Sequence, residues 1–191
     1  MTIRKSRFVE MFGSDVDNTP WSVERVGHIA DVTVGVVIKP AQYYVEDASQ
    51  GVRAFRSLNV QPMHVKDGDW VYFSIEGHEK NGKSSLKASD VLIVRSGYPG
   101  TSCVVGTEYE GSNAIDLIIA HPDLERINPT YLAAFNNCPI GQQQIQSGVG
   151  GAAQQHFNVG RYKSLKIPVP PIELQREFAD FFAQVDKSEY L

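Results

Sequence analysis

Cysteine is scarce in this chain: Cys103 and Cys138 are the only two among 191 residues. They form no CxxC motif and no disulfide framework, so both read as buried thiols of a reducing compartment, the cytoplasm. Long apolar runs are missing as well. Nothing approaches the ~18 uninterrupted apolar residues of a membrane span, and no apolar export segment follows the basic start at Arg4, Lys5 and Arg7. Nor is there an excess of positive charge. The 18 basic and 22 acidic residues leave a net charge of -4, which argues against a domain that coats nucleic acid by bulk electrostatics. Basic residues do cluster locally, at Arg4, Lys5 and Arg7, at Lys80, Lys83 and Lys87, and at Arg161, Lys163 and Lys166. Such clusters suit phosphate contacts and solvated surfaces alike.

The familiar catalytic signatures are absent too. The sequence has no Walker loop, dinucleotide fingerprint, HExxH, calcium loop or G-x-S-x-G elbow. His28, His64, His78, His121 and His156 lack zinc-ligand spacing. Asp90 precedes an apolar run without the Glu-x-Lys partner of a metal-dependent nuclease. Gly97, Gly100 and Gly106 lack the strand-to-helix setting of a phosphate-cradling loop. These gaps lead us to expect neither a cofactor nor a metal, and they announce none of the common catalytic folds.

What is present is a composition of 42% hydrophobic and 21% charged residues, suited to one main folded domain. Residues 1–13 read as a helix with Phe8, Met11 and Phe12 on one side and Gly13 as its stop. Residues 14–20, rich in Asp and Asn, read as a linker, and Trp21 and Val23 open the globular part. Valines between 32 and 37, residues 54–60, Trp70 to Phe73, 103–105 and 114–119 carry strand signals. The clearest strand is 90–95, which ends abruptly at Ser96-Gly97-Tyr98-Pro99-Gly100-Thr101. The polar, glycine-containing stretch 76–85 reads as an exposed recognition loop. Asn128 followed by Pro129 marks a helix start, and Pro139 is expected to break that helix in two.

A second proline signal is stronger. Pro168, Pro170 and Pro171 stiffen the chain immediately before an apolar-periodic helix, and Glu173 lies near its positive end. Leu174, Phe178, Phe181 and Val185 recur at four, three and four residues, the seam spacing of a helix that packs along another helix. The spacing fits a partner helix or a helix folded back on its own domain. Taken together, the elements predict an α/β domain with a mixed, irregular twisted sheet and no internal repeats.

Several of these segments resemble one family in its own order. They are residues 53–60, residues 86–106 with Asp90 to Gly97 and Gly100-Thr101, Tyr131-Leu132, Gly150-Gly151 with Gln154 and Gln155, the run Leu165 to Pro171, and Glu173 with Gln175. Together they resemble the target-recognition domain of type I restriction-modification DNA specificity subunits. Residues 5–13 resemble the end of that family's spacer helix, and the helix from Ile172 the beginning of the next. The implied organisation is a spacer end at 1–13, a linker at 14–20, a recognition domain at 21–171 and a spacer start at 172–191. The chain thus resembles a single recognition half, whether a natural half-subunit or part of a longer subunit.

The resemblance implies sequence-specific recognition of double-stranded DNA, with catalysis left to DNA methyltransferase modification subunits and to a restriction/translocase subunit. A second half-subunit, or a second copy of the chain, is the further partner it implies. Base reading needs exposed donors and acceptors, and positioning on phosphate needs Lys and Arg. The candidates are Arg53, Arg56, Ser57 and Asn59; Lys80, Asn81, Lys83, Ser84 and Ser85; Arg95, Ser96, Tyr98 and Thr101; and Gln154, Gln155, His156 and Asn158. Leu174, Phe178, Phe181 and Val185 are the candidates for a partner interface. Two alternatives stay open at this point: the recognition domain of a fused restriction-methyltransferase enzyme, and a helix-mediated protein-interaction module.

Overall fold

The computed structural model describes residues 3–147 and 157–188, with side chains within 7–147 and 157–185. The chain opens with α1 (Ile3–Phe12), β1 (Ser22–Arg25), the single turn α2 (Val26–Ile29) and β2 (Ala30–Val34). Five strands follow: β3 (Tyr44–Val45), β4 (Gly51–Phe55), β5 (Val60–Gln61), β6 (His64–Val65) and β7 (Val71–Ser74). After α3 (Ile75–Lys80) come β8 (Val91–Val94), β9 (Ser102–Val104), β10 (Asn113–Ala114) and β11 (Leu117–Pro122). The last third holds α4 (Pro129–Asn137), α5 (Pro139–Gln146), α6 (Val159–Ser164), β12 (Lys166–Val169) and α7 (Ile172–Ser188).

The apolar run 91–94 forms the middle of an antiparallel sheet ordered β2-β11-β8-β9, and all four of its residues are buried. A strand buried on both faces needs cover on both, and alternation divides its side chains between two cores. Val91 and Ile93 join Ile118 and Ala120 beneath the helices. Leu92 and Val94 face the other way, with Leu117, Ile119 and Phe55. Phe55 comes from the second sheet, ordered β10-β4-β7-β3, in which β10 and β4 run parallel and the other pairs antiparallel. These two sheets, the two-stranded pairings of β1 with β12 and β5 with β6, and the helices give the mixed, irregular α/β architecture that the sequence predicts.

Proline and cap signals set the helix ends. Asn128 Oδ1 accepts from the amides of Thr130 and Tyr131 ahead of Pro129, which satisfies donors that a helix start leaves without partners. Pro139 separates α4 from α5 as expected. Gly13, at φ +87°, stops α1 and returns its amide to Val9 O at 2.9 Å, the left-handed C-terminal stop that glycine tolerates best.

Three expectations change. Residues 76–85 form α3 and a 3-10 turn at Gly82–Ser84 rather than an open loop, because Ser74 Oγ caps the amide of Gly77 at 3.0 Å. The core also extends upstream of Trp21, taking in Phe8, Phe12 and Val16. Finally, Phe178 does not face a foreign helix. It is buried against Phe8 and Phe12, with ring centroids 5.6 Å from each, and Tyr131 lies 5.4 Å from Phe8 and 4.8 Å from Phe12. The face of α7 turned inward is Gln175, Phe178 and Phe182. Leu174, Phe181 and Val185 form a flanking, half-buried stripe, with the Arg7 guanidinium 5.6 Å above the Phe181 ring.

Gln175 holds α7 in place. Fully buried, it accepts from the Asn128 amide at 2.9 Å and donates to Arg126 O at 3.1 Å and Pro170 O at 2.8 Å. One side chain thereby ties the α7 start to the turn that begins α4.

Candidate nucleic-acid interface

The abrupt end of β8 makes a tight hairpin. Gly97 and Gly100 adopt φ +81° and +88°, and the turn is closed by Tyr98 N to Ser96 O, Thr101 N to Tyr98 O and Gly100 N to Val94 O at 3.0–3.2 Å. At its tip Tyr98 is 84% exposed, the most open of the large apolar side chains described. Gly100 is buried where the hairpin meets α5: a Cβ there would lie 2.5 Å from Ile145 Cδ1 and 2.6 Å from Gln142 Nε2. The turn and α5 are therefore locked in register.

Tyr98 stands between two clefts. One, of about 360 Å³, is lined by Pro62, Asn137, Gln142 and Gln146 together with the turn. The other, of about 500 Å³, is lined by Ser57, Leu58, Gln61 and Ser96 and shares Pro62, Tyr98 and Thr101. No lining residue of either is charged. Two further clefts, near β1 and α5, are of mixed charge: one carries Asp17 and Glu24 with Arg25 and Lys166, the other Asp15 and Asp17 with Lys166. The Tyr98 face carries no carboxylate to repel a polyanion, and it offers hydroxyls and amides able to meet base edges.

This face gathers Ser57, Ser96, Tyr98 and Thr101 from the sequence candidates. It also contains Gln61, Gln142 and Gln146, which sequence reasoning missed. The detectable signal was the run Gln142-Gln143-Gln144 followed by Gln146, because 142 and 146 share one face of a helix started by Pro139. Gln144 faces elsewhere, exchanging hydrogen bonds with the Lys166 backbone at 2.8 and 2.9 Å. The Gln142 amide donates to Asn136 O at 2.8 Å, and Gln146 Nε2 donates to Gln142 Oε1 at 3.4 Å.

Other candidates are committed to the fold. Asn59 is wholly buried, with Oδ1 accepting from the Arg56 amide and Nδ2 donating to Gly68 O at 2.8 Å. Ser84 is buried too, its hydroxyl donating to Asn81 O and accepting from Asn113. Both are corrected from base contact to internal support. Arg95 pairs with Asp116, and its Nε donates to Phe157 O at 3.2 Å, leaving its side chain 13% exposed. It clamps the sheet end and is not an open DNA contact. The Arg56 guanidinium donates to Asp69 O. Arg53 lies 4.9 Å over Trp70 and 5.2 Å over Tyr109, a cation held by ring faces.

Lys80 and Lys83 are exposed, and Ser85 is half-buried in a bridge to Asn113. Asn81 donates to Gly77 O at 2.7 Å. Asn158 caps α6 through the Arg161 amide at 3.0 Å. Gln154, Gln155 and His156 lie outside the described residues. Among the described residues no group of three or more His, Cys, Asp or Glu is placed to hold a metal ion. His121 instead meets buried Asp90, Nδ1 to Oδ1 at 2.6 Å, and that hydrogen bond pushes the imidazole pKa up against the opposing effect of burial.

The α/β domain thus presents one exposed aromatic side chain between two uncharged clefts lined in part by amides and hydroxyls. The model of the type I restriction modification DNA specificity domain family matches residues 53–190, and the chain belongs to that family. Solved structures share the fold. A chain from a type I R-M system, solved to explain its complex assembly and conformational transition, matches at TM-score 0.72 and 17% identity, over 97% of this chain and 44% of the other. The HsdS subunit from Thermoanaerobacter tengcongensis gives 0.62 and 17%, over 97% and 43%. The type I restriction-modification system S subunit from M. genitalium gives 0.60 and 14%, over 97% and 47%. This chain therefore spans less than half the length of each. No curated protein sequence matches it.

Proposed function

We propose that this chain is the non-catalytic DNA target-recognition part of a type I restriction-modification complex, binding duplex DNA in a sequence-selective manner. The specificity-domain match over residues 53–190 carries the reading. The ridge at Tyr98 supports it physically, since hydroxyls and amides beside an uncharged surface provide base-edge contacts without repelling phosphate. Lys80 and Lys83, both exposed, remain candidates for phosphate contact.

In this reading the methyltransferase modification subunits and, through them, the restriction/translocase subunit supply catalysis in the cytoplasm. No helix among the described residues is long and apolar enough to cross a membrane. The half-buried stripe Leu174, Phe181 and Val185 is the proposed contact for a modification subunit, a second half-subunit or a second copy of the chain. Phe178 is not part of it, because the chain's own α1 covers that ring.

The test is selection from randomised duplex DNA by the chain assembled with its modification subunits. Enrichment of one short motif is the expected result. Salt-sensitive binding that enriches no motif would overturn the proposal, because phosphate neutralisation alone gives that behaviour.

A further inference from the structure

We infer that Gln146 reads an adenine in the DNA major groove, held in reading orientation by Gln142, while the Tyr98 ring packs on the neighbouring base. The inference rests on the DNA-recognition reading above and adds an atom-level assignment to it.

The hydrogen-bond chain fixes the orientation. Asn136 O can only accept, so the Gln142 group 2.8 Å away must be the amide nitrogen. That turns Gln142 Oε1 toward Gln146, whose Nε2 donates to it at 3.4 Å. One Nε2 hydrogen and the Oε1 of Gln146 are left for a ligand. Adenine presents a complementary pair in the major groove, N7 accepting and N6 donating. Gln146 is exposed at the end of α5 and lines the same cleft as Tyr98.

The support is rigid. Asn136 is fully buried, and its Nδ2 donates to Ser102 Oγ and Tyr162 OH. Gly100 packs the hairpin closely on α5, which sets the backbone positions from which Tyr98 and Gln146 project. Gln142 is thus a positioning residue, and Gln146 a specificity-determining one.

The experiment uses the chain assembled with its modification subunits and the duplex motif that the assembly selects. Each adenine is replaced in turn by 7-deazaadenine, which lacks N7. At one adenine the wild type should lose binding by roughly 5-fold or more, within the 5- to 150-fold range of a bidentate contact. Gln146→Ala should bind the unmodified duplex more weakly by a similar factor and be insensitive to the deaza substitution at that position alone. Gln142→Ala should show reduced sensitivity at the same adenine, which a purely structural role would not produce. Tyr98→Ala should weaken binding, and deoxyuridine in place of an adjacent thymine should affect the wild type more than this variant.

Gln146 and Tyr98 are exposed, so unchanged thermal unfolding is expected and checks the fold of both variants. If the wild type selects no motif, the recognition reading itself fails. If it selects a motif and Gln146→Ala responds to every deaza substitution as the wild type does, this inference is overturned while the recognition reading stands.

Discussion

Replacing Gln175 with leucine keeps the side-chain size close to the original and removes three hydrogen bonds at once. The Asn128 amide, Arg126 O and Pro170 O lose their partner. Pro170 O sits in the buried contact, where an unsatisfied carbonyl costs about 1–3 kcal/mol; the other two lie nearer solvent and cost about 1 kcal/mol each. The greater apolar burial of leucine offsets about 1 kcal/mol. The expected net loss is about 2–4 kcal/mol, read by urea unfolding through Trp70, which packs on Phe55 at 4.8 Å.

Gln175→Glu gives the sharper comparison. One oxygen still accepts from Asn128, but the other would face two carbonyl oxygens. Burial and those carbonyls would raise the folded pKa of the carboxyl above its unfolded value of about 4.3. Its contribution is then best below that unfolded value and falls as pH rises through the folded one. The variant should lose stability relative to wild type between about pH 4 and pH 7. A leucine variant within about 1 kcal/mol of wild type, or a glutamate variant that tracks wild type across this range, would refute the reasoning.

Phe178→Ala should cost about 3–5 kcal/mol, because the ring is enclosed by Phe8, Phe12 and Phe182. Phe181→Ala should cost much less and instead reduce self-association or partner capture in sedimentation; equal losses of stability would invert the assignment of the two faces. The raised pKa of His121 means that its protonated form stabilises the fold, fully below the ordinary value of 6.5 and decreasingly as pH rises through the folded value. The thermal midpoint of wild type should therefore exceed that of His121→Asn by more at about pH 5.5 than at about pH 9, and parallel curves would sink the idea. Burial pushes the Cys103 thiol up to about 12, and Cys138 is 2% exposed; a thiol reagent at mildly alkaline pH should label either only on unfolding, and prompt labelling of the folded chain would contradict their burial.

Signals confined to a few neighbouring residues were legible in the sequence. Asn128-Pro129, Pro139 and Pro170-Pro171 mark helix boundaries through local sterics, and the apolar run 91–94 needs no knowledge of its neighbours to read as a buried strand. Polar residues were harder, because their role depends on distant partners. Nothing near Ser84 announces Asn113, and nothing near Asn59 announces Gly68 O. Arg95 looks available until Asp116 is placed beside it. The seam on α7 was visible as a period, but a period identifies a face and not the surface that covers it. Gln142 and Gln146 escaped notice because glutamines on one face of a helix read as a solvated surface until the hairpin at Tyr98 is placed beside them. The six residues of α3 were too few to show a helical repeat.

The pairing of β1 with β12 has a consequence for how the chain acquires its structure. Ser22 and Val169 are 147 positions apart, and α1 is buried by α4 and α7 rather than by anything next to it in sequence. During synthesis α1 and β1 leave the ribosome well before α7 and β12 exist. Phe8 and Phe12 must then wait in solvent, or in the hands of a chaperone, while the intervening sheets assemble. Contacts of such high sequence separation are among the last to form and slow the overall folding rate. The ring cluster of Phe8, Phe12, Tyr131 and Phe178 therefore acts as a late latch, closing only once Phe178 has been made.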